Sequence, residues 1–540
     1  MFRISWRLQR NGLVGMTLFG VFYGVIQSAA YNSAAGTTAA SRASFGHQME
    51  LLGQSFSYML PLPVRVDTFG GYLQWRVYGA LPLLFGFWAL MSAAGATRGD
   101  EERGLVEQWL CRGASRTRYL GTRYLAFVIA ATAAMALSSA AIFLGAVKSG
   151  NTVEAAPIIE ILTALLGVTL VCYAITLVVA QVATTRNGAA ASAGGLLLLL
   201  FLINGFSRTL DGLRPLARLV SPFYYFDRSN PLTPAGSFDL PATVGLLIAA
   251  AAIAALAAWL MRMRDIGSPL LRRRPKASPA TSVPSGNPLL RMPVLTTLYE
   301  QRMGLLAWSA GASLIAVFMA SIAHQMSQLV NGPGGFRAYL ALLGHGDPYV
   351  AISGLFWFGI FEFVLALFAT TQVARWTSDD KEGRLEMELT APVSRWWVVA
   401  ERCLGLLAGL AIVVSVSSLA FYVSGHASNI NVPAGDLLVA SLVMLPFGLT
   451  FGAVGALLVS RVPRATIPIL AAVAFTSYLI TDAGPLLKWP DSVMKLSVFS
   501  LIGAPLSSGV YWTGLWGLLG ISIVGFGLAA VVMQRREIGS

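Results

Sequence analysis

The chain has 540 residues, of which 56% are hydrophobic and 12% charged, and its mean hydropathy is +0.66. A soluble domain does not use that much apolar surface, and many apolar runs approach the roughly 20 residues that cross a bilayer. The composition therefore excludes a soluble protein and predicts an all-α polytopic membrane protein. A β-barrel is disfavoured because these runs lack period-two alternation.

The net charge of +13 does not require a nucleic-acid partner. Lys and Arg concentrate in the cytoplasmic loops of membrane proteins, which accounts for the basic balance. The basic start "MFRISWRLQRNG" precedes an apolar run that we interpret as a retained first span, since no cleavage pattern leads into a soluble chain. The three cysteines include no CxxC pair, so neither a disulfide framework nor a metal site is indicated.

The apolar runs predict twelve membrane spans in chain order. They lie at about 12–31, 77–97, 124–147, 157–183, 188–206, 241–261, 303–325, 351–374, 403–424, 436–460, 466–482 and 511–533. Most of the 38 Lys and Arg residues fall on the side of the termini. The charge rule therefore predicts that both termini are cytoplasmic.

A stretch rich in Pro, Ser and Arg separates the predicted spans into two sets of six. We predict a first half at 1–262, a cytoplasmic linker at 263–293 and a second half at 294–540. A plain tether is the simpler interpretation of this linker. The alternative is that its "RRRPK" run also binds anionic lipid headgroups.

The two halves look like copies of one unit. "RGDEERGLVEQWLCRGASR" at 98–116 and "DDKEGRLEMELTAPVSR" at 379–395 share several residues at an offset of 279 positions. "LQRNGL" at 8–13 similarly parallels "EQRMGL" at 300–305. Both charged stretches follow the second span of their half, so we predict parallel six-span repeats.

Each charged stretch predicts a short helix on the cytoplasmic surface. In the first copy Asp100, Glu101 and Glu102 are expected in its first turn, where negative charge favours the helix dipole. Leu105 and Trp109, like Val106 and Leu110, form an apolar face. The helix is expected to end at Gly113 and Pro392 in the two copies. An ordinary interfacial loop is the alternative, but duplication at one topological position favours a pair of docking helices.

The pattern "ERG-L-E--L----SR" after the second span resembles type-2 ATP-binding-cassette (ABC) permeases, and twelve spans in one chain resemble their bacterial antibiotic and multidrug exporter branch. "LVSPFYYFDRSNPL" at 219–232 is similar to a segment of that branch. The resemblance implies that each surface helix is a coupling helix that seats in a cytosolic ATPase subunit. By residue match this role falls on Asp100, Glu101, Gly104, Glu107, Arg116, Asp379, Asp380, Gly383, Glu386 and Arg395.

The sequence also indicates that the ATPase is a separate polypeptide. A phosphate-binding loop ends in Gly-Lys-Ser/Thr, and none of the lysines follows a glycine. We therefore expect no catalytic residue, metal or cofactor in this chain. The resemblance implies two copies of an ATPase subunit, which carry ATP and Mg²⁺, and a location in the bacterial cytoplasmic membrane.

Polar groups inside the spans are candidates for a substrate path. Glu362 lies mid-span among aromatic residues and is the clearest candidate. Phe358, Phe361 and Asn204 are further candidates for the substrate path. The alternative is that Glu362 is a structural carboxyl, and that Asn204 bonds a neighbouring helix. "SPFYYF" at 221–226 suits interfacial anchoring better than ligand binding, and 207–240 and 483–510 are expected to be re-entrant segments at the outer mouth.

The leading functional hypothesis is an exporter of hydrophobic or amphipathic compounds, with membrane lipids around it. A lipid or glycan exporter of the same class is one alternative. An ion-coupled secondary transporter is another, although it should show several intramembrane carboxylates. A membrane scaffold without transport activity is a third.

Overall fold

The computed structural model describes residues 1–55, 61–208, 210–270, 292–330, 348–381, 383–390, 393–428, 430–463, 465–483, 489–503, 505–506 and 509–536. Every regular element within these ranges is helical. The chain divides into two compact units, Met1–Ser278 and Pro279–Ser540. The boundary falls within the stretch that the sequence predicts as a linker.

The helices follow the apolar runs, because a helix satisfies all its backbone hydrogen bonds internally where no water is present. In unit 1 they are α1 (Phe2–Ala35), α2 (Ala39–Ser55), α3 (Phe69–Glu102), α4 (Leu105–Cys111), α5 (Arg116–Lys148), α6 (Ala155–Val182), α7 (Arg186–Ser207), α8 (Arg214–Val220), α9 (Pro222–Phe226) and α10 (Leu240–Met263). In unit 2 they are α11 (Pro293–Glu300), α12 (Arg302–Val330), α13 (Pro348–Lys381), α14 (Arg384–Glu388), α15 (Arg395–Ala427), α16 (Ala434–Arg461), α17 (Thr466–Ala483), α18 (Asp491–Met494) and α19 (Trp512–Arg535).

A helix occupies each of the twelve predicted span positions. Within the described residues, eleven helices are long and apolar enough to cross a membrane, so the chain is a multi-pass membrane protein. The exception is α17, whose apolar part Thr466–Thr481 is shorter. The count of twelve crossings and the parallel two-repeat arrangement therefore stay predictions. The helix α2, which is polar, was not predicted.

Small residues and stacked aromatic rings hold each unit together. In unit 1, α1 packs closely on α5 because any side chain at Gly20 would collide with Ser138. The ring of Phe127 on α5 stacks on Tyr173 of α6 at 4.2 Å and lies 5.0 Å from Trp88 of α3. These contacts fix α3, α5 and α6 against one another.

The charged stretch is not one surface helix. Asp100, Glu101 and Glu102 form the last turn of α3, so their predicted place in the first turn of the surface helix is wrong. The chain reverses at Gly104, whose φ of +67° favours glycine, and α4 begins only at Leu105. Ion pairs described below hold Asp100 and Glu101 in α3.

The surface helices themselves have the predicted apolar face. Val106 of α4 is fully buried, and Trp109 and Leu110 pack against the core of unit 1. In unit 2, Gly383 has φ +71° and α14 follows it with Leu385 buried. α4 ends before Gly113, which has φ +81°, as predicted; Pro392 lies outside the described residues.

The first residues of the predicted linker pack on unit 1. The backbone N–H of Leu270 donates to the carbonyl of Gln181 at 2.9 Å. The tether interpretation therefore does not apply to 264–270, and "RRRPK" at 272–276 lies outside the described residues. In the segment 207–240, the rings of Phe223 and Phe226 are buried, so the "SPFYYF" motif is largely internal. Its re-entrant depth stays a prediction.

Candidate functional site

The surface helices α4 and α14 present carboxylates at matching positions. Each helix starts directly after a left-handed glycine, Gly104 or Gly383. Three residues later, in the first turn of each helix, stand Glu107 and Glu386, and both side chains are exposed. A carboxylate at this place is stabilised by the helix dipole and remains free to contact a partner.

Asp100, in contrast, is completely buried. The hydroxyl of Tyr119 donates to its Oδ2 at 2.5 Å, and the guanidinium of Arg123 forms an ion pair with the same oxygen. Arg103 lies 3.3 Å from the other oxygen. Asp100 therefore fixes the last turn of α3 to α5 and does not present its charge on a surface. Arg123 is likewise internal.

Glu101 is also buried, and it lies between two arginines. Nη1 of Arg98 is 2.9 Å from Oε2 of Glu101, and Nη1 of Arg264 is 3.0 Å from the same oxygen. Arg98 further donates to the carbonyls of Ala180, at 2.9 Å, and Ser268, at 3.0 Å. Since Arg264 follows α10 directly, this cluster joins the ends of α3, α6 and α10.

Arg116, at the start of α5, also binds the end of α10. Its Nη1 donates to the carbonyls of Met261, Arg262 and Arg264 at 3.2, 3.3 and 2.5 Å. These are carbonyls that a helix leaves unsatisfied at its C-terminus, where a cation is favoured by the helix dipole. Arg116 therefore caps the last span of unit 1.

Unit 2 repeats these contacts. Arg395 starts α15, and its Nη1 donates to the carbonyls of Gln534 and Arg536 at 3.2 and 2.7 Å. Arg536 follows α19 directly, and its Nη2 lies 2.8 Å from Oδ2 of Asp380. We call these contacts the bracket; it consists of Arg116, Glu101 and Arg264 in unit 1 and of Arg395, Asp380 and Arg536 in unit 2.

Arg264 and Arg536 were not predicted as functional residues, although the sequence contains a signal for them. The first half closes its last span with "MRMRD" at 261–265, and the second half closes with "MQRRE" at 533–537. Each motif places an arginine three residues after a methionine and directly before an acidic residue. In the sequence these arginines contribute to the charge rule for topology. In the structure Arg264 binds the end of α3 and Arg536 binds the end of α13.

The two units differ beside the bracket. Trp109 of α4 corresponds to Glu388 of α14 and packs on the core, whereas Glu388 lines a polar cavity of about 90 Å³. Asp379 is 3.5 Å from Arg384, and Arg402, the counterpart of Arg123, lies over the ring of Trp376 at 5.9 Å. Burial raises the pKa of the Glu388 carboxyl, and the acidic neighbours Glu401, Asp379 and Glu300 raise it further, against the lowering effect of Arg402.

The residues predicted for a substrate path are divided between the two units, and the path stays a prediction. Phe361 stacks on Trp357 at 4.4 Å, and Phe358 is 3% exposed, so both belong to the aromatic core of unit 2. Glu362 is buried, and it makes no hydrogen bond or ion pair with any residue of the described ranges. Asn204, in unit 1, donates to Asp227 at 2.7 Å and therefore has a structural partner.

We expect the bracket to be stronger in unit 1, because Glu101 and Arg264 are 2% exposed whereas Asp380 and Arg536 are 12% and 20% exposed. Glu101→Gln leaves two buried arginines without a carboxylate and should cost about 3 kcal/mol of stability. Asp380→Asn should cost less, about 1–2 kcal/mol, because this pair is only partly removed from water. Thermal unfolding in detergent measures both, and equal losses for the two variants would contradict this ranking.

Glu388→Gln should stabilise unit 2 in a pH-dependent way. The folded-state pKa of Glu388 is raised above its unfolded-state value, so this carboxyl increasingly opposes folding as the pH rises above the unfolded-state pKa, and it has no effect well below that pKa. The variant should therefore have a higher Tm than the wild type at pH 8, and the gain should shrink by pH 5. Glu386→Gln, which changes a carboxylate of the same helix that does not line the cavity, is the control. A gain that is independent of pH would count against the cavity environment.

Comparisons with known proteins place the chain in a family. The family model described as "Multidrug efflux system permease Rv1217c, C-terminal domain" matches residues 72–262 and 290–534. The interruption of this match falls within the predicted linker. The bracket residues all lie within the matched ranges except Arg264 and Arg536, which stand two residues beyond them.

One curated relative is the "Multidrug efflux system permease protein Rv1217c" of Mycobacterium tuberculosis (strain ATCC 25618 / H37Rv). It is 27% identical over 304 residues, which is 54% of this chain and 53% of the relative. The match thus spans about half the length of that relative. Since the family match covers well over half of this sequence, the chain belongs to the family of the multidrug efflux system permease Rv1217c, C-terminal domain.

Proposed function

We propose that the chain is the transmembrane permease of an ABC exporter that moves hydrophobic or amphipathic compounds, such as antibiotics or drugs, out of a bacterial cell. Two copies of a separate cytosolic ATPase subunit bind ATP and Mg²⁺ and supply the energy. Both termini face the cytoplasm in this proposal. The family membership and the multi-pass helical fold support a permease for efflux.

The duplicated bracket is the observation that carries the ATP-driven part of the proposal. A surface helix that merely connects two spans needs no attachment to a third. Here, in each unit, the residues flanking the surface helix bind the end of that unit's last span. A push on α4 or α14 is therefore transmitted to three spans together, since buried ion pairs and backbone hydrogen bonds resist separation.

The proposed roles of the predicted coupling residues follow from their positions. Glu107 and Glu386 are exposed, so they contact the ATPase subunits directly. Gly104 and Gly383 form the turns that orient these carboxylates. The remaining predicted residues are positioning residues, because their side chains bind other parts of their own unit; they are Asp100, Glu101, Arg116, Asp379, Asp380 and Arg395.

Reversing the exposed charges should uncouple transport from ATP hydrolysis. Glu107→Lys with Glu386→Lys places two cations where the partner surface is expected to accept carboxylates. Like-charge contact at such an interface should reduce efflux of ethidium by about tenfold or more. Glu154→Lys reverses an exposed charge directly before α6, away from the surface helices, and is the control.

The double variant should elute from size-exclusion chromatography like the wild type, because neither carboxylate supports the fold. The measurements are the efflux rate from cells that contain the chain and its ATPase subunit, and the amount of ATPase that co-purifies. Wild-type efflux with bound ATPase in the double variant would falsify the docking role of these helices.

Glu362 favours a second candidate function, an ion-coupled transporter. A carboxyl in a span without a partner among the described residues is costly and marks a functional site by default. In the exporter, Glu362 meets cationic substrates; in an ion-coupled transporter, it carries a proton. Efflux that persists after the proton gradient is collapsed, but stops when ATP is depleted, supports the exporter, and the reverse supports the second function.

The substrate role of Glu362 has its own test. Glu362→Gln keeps the shape of the side chain and removes its charge, so it should slow efflux of the cation ethidium more than efflux of the neutral dye Nile red. Asp436→Asn, which neutralises an exposed carboxylate at the start of α16, should affect neither dye. Equal slowing of both dyes by Glu362→Gln would remove Glu362 from substrate recognition.

A further inference from the structure

Unit 1 contains a basic cavity that neither the bracket nor the proposed transport mechanism uses. Its volume is about 240 Å³, and it lies where the start of α1, the end of α3 and the start of α7 meet. Three arginines line it: Arg103, Arg123 and Arg186. A phosphate group is the anion that several guanidiniums bind best, because their paired N–H groups match its oxygens.

The cavity has more positive than negative charge. Arg103 and Arg123 share the single carboxylate of Asp100. Arg186 forms no ion pair within the described parts of the chain, and its buried Nε has no hydrogen-bond partner there. The nearby carboxylate of Glu102 accepts instead from the backbone N–H of Arg186 at 2.7 Å. A buried donor without a partner is costly, and an anion in the cavity relieves this cost.

Two glycines on one face of α3 bring the guanidiniums together. A Cβ atom at Gly99 would lie 2.9 Å from Cδ of Arg186 and 3.3 Å from Nη2 of Arg103, so both side chains cross α3 at this point. A Cβ atom at Gly95 would lie 4.0 Å from Nε of Arg186. Arg186 is also the first residue of α7, and the positive end of this 22-residue helix adds to the attraction for an anion.

The rest of the cavity is apolar and lies on membrane-spanning helices. Leu8 of α1 and Met91 of α3 line it with side chains that are 44% and 36% exposed, next to Trp88. A volume of about 240 Å³ holds a phosphate headgroup but not acyl chains, which can continue along these exposed apolar side chains. Basic residues beside an apolar surface at a span end are typical of sites for anionic lipid headgroups.

We propose that this cavity binds the phosphate of one anionic phospholipid, with Arg186 and Arg103 as its main ligands. The apolar rim favours a membrane lipid over a soluble phosphate compound. The corresponding positions of the second half suggest that it has no equivalent site: Leu8 aligns with Glu300 and Arg103 with Glu382. The polar cavity of unit 2 is lined by four carboxylates and only two guanidiniums, so its charge disfavours an anion; the residues are Glu300, Asp379, Glu388, Glu401, Arg375 and Arg402.

Native mass spectrometry of the full chain, purified in detergent and stripped of lipid, tests the site. The probes are phosphatidylglycerol, phosphatidylcholine and inorganic phosphate. We expect one phosphatidylglycerol to bind about tenfold more tightly than phosphatidylcholine, and Arg186→Gln with Arg103→Gln to remove this preference. Arg118→Gln, which removes an exposed positive charge outside the cavity at the same end of unit 1, should retain it.

Arg186→Lys keeps a positive charge at the site, so this variant should bind phosphatidylglycerol with intermediate affinity. Such binding would show that the loss of lipid preference in the Gln variants does not come from misfolding. If millimolar inorganic phosphate abolishes the preference for phosphatidylglycerol completely, the lipid assignment is overturned and the site is one for a soluble phosphate. Equal loss of preference in Arg118→Gln would show that binding depends on general surface charge, and would overturn the site itself.

Discussion

The organisation of unit 1 at the end that carries α4 depends on one buried carboxylate, Glu101. It neutralises two arginines that lie in different parts of the sequence, Arg98 on α3 and Arg264 after α10. Removing such charges from water costs several kcal/mol per ion, and only close pairing together with further hydrogen bonds compensates for this cost. The carbonyls of Ala180 and Ser268 and the amide of Gln181 supply those bonds. Three segments are thereby fixed, the end of α3, the end of α6 and residues 264–268, and α4 projects from a rigid base.

The sequence predicted the helical class and the positions of the long spans, because hydropathy is a local property of the chain. It did not predict that Asp100 and Glu101 would be internal. Their spacing is compatible with an exposed helix N-terminus. They are buried because Arg123 and Arg264 lie beside them in the folded chain and form ion pairs with them. Pairs that are 23 and 163 residues apart cannot be identified from one sequence without a motif such as the repeated arginine after the last span.

The substrate path was the least predictable part. Aromatic residues around Glu362 suggested a binding wall, yet Phe361 packs on Trp357 and Phe358 is buried in the same core. Aromatic side chains are large apolar groups first, and their enrichment near a carboxyl does not distinguish a cavity from a core. Asn204 illustrates the same limit, since its partner Asp227 belongs to a segment that hydropathy could not place.

The attachment made by Arg116 and Arg395 has a consequence for how such proteins vary. Both arginines bind backbone carbonyls at the end of the last span and make no hydrogen bond to its side chains there. Every residue type supplies a carbonyl, so substitutions in that last turn leave this connection intact. The two halves already differ there, with Arg262 in one and Gln534 in the other. A contact between an arginine and backbone carbonyls can therefore be retained as sequences diverge, while the surrounding side chains are free to acquire other functions.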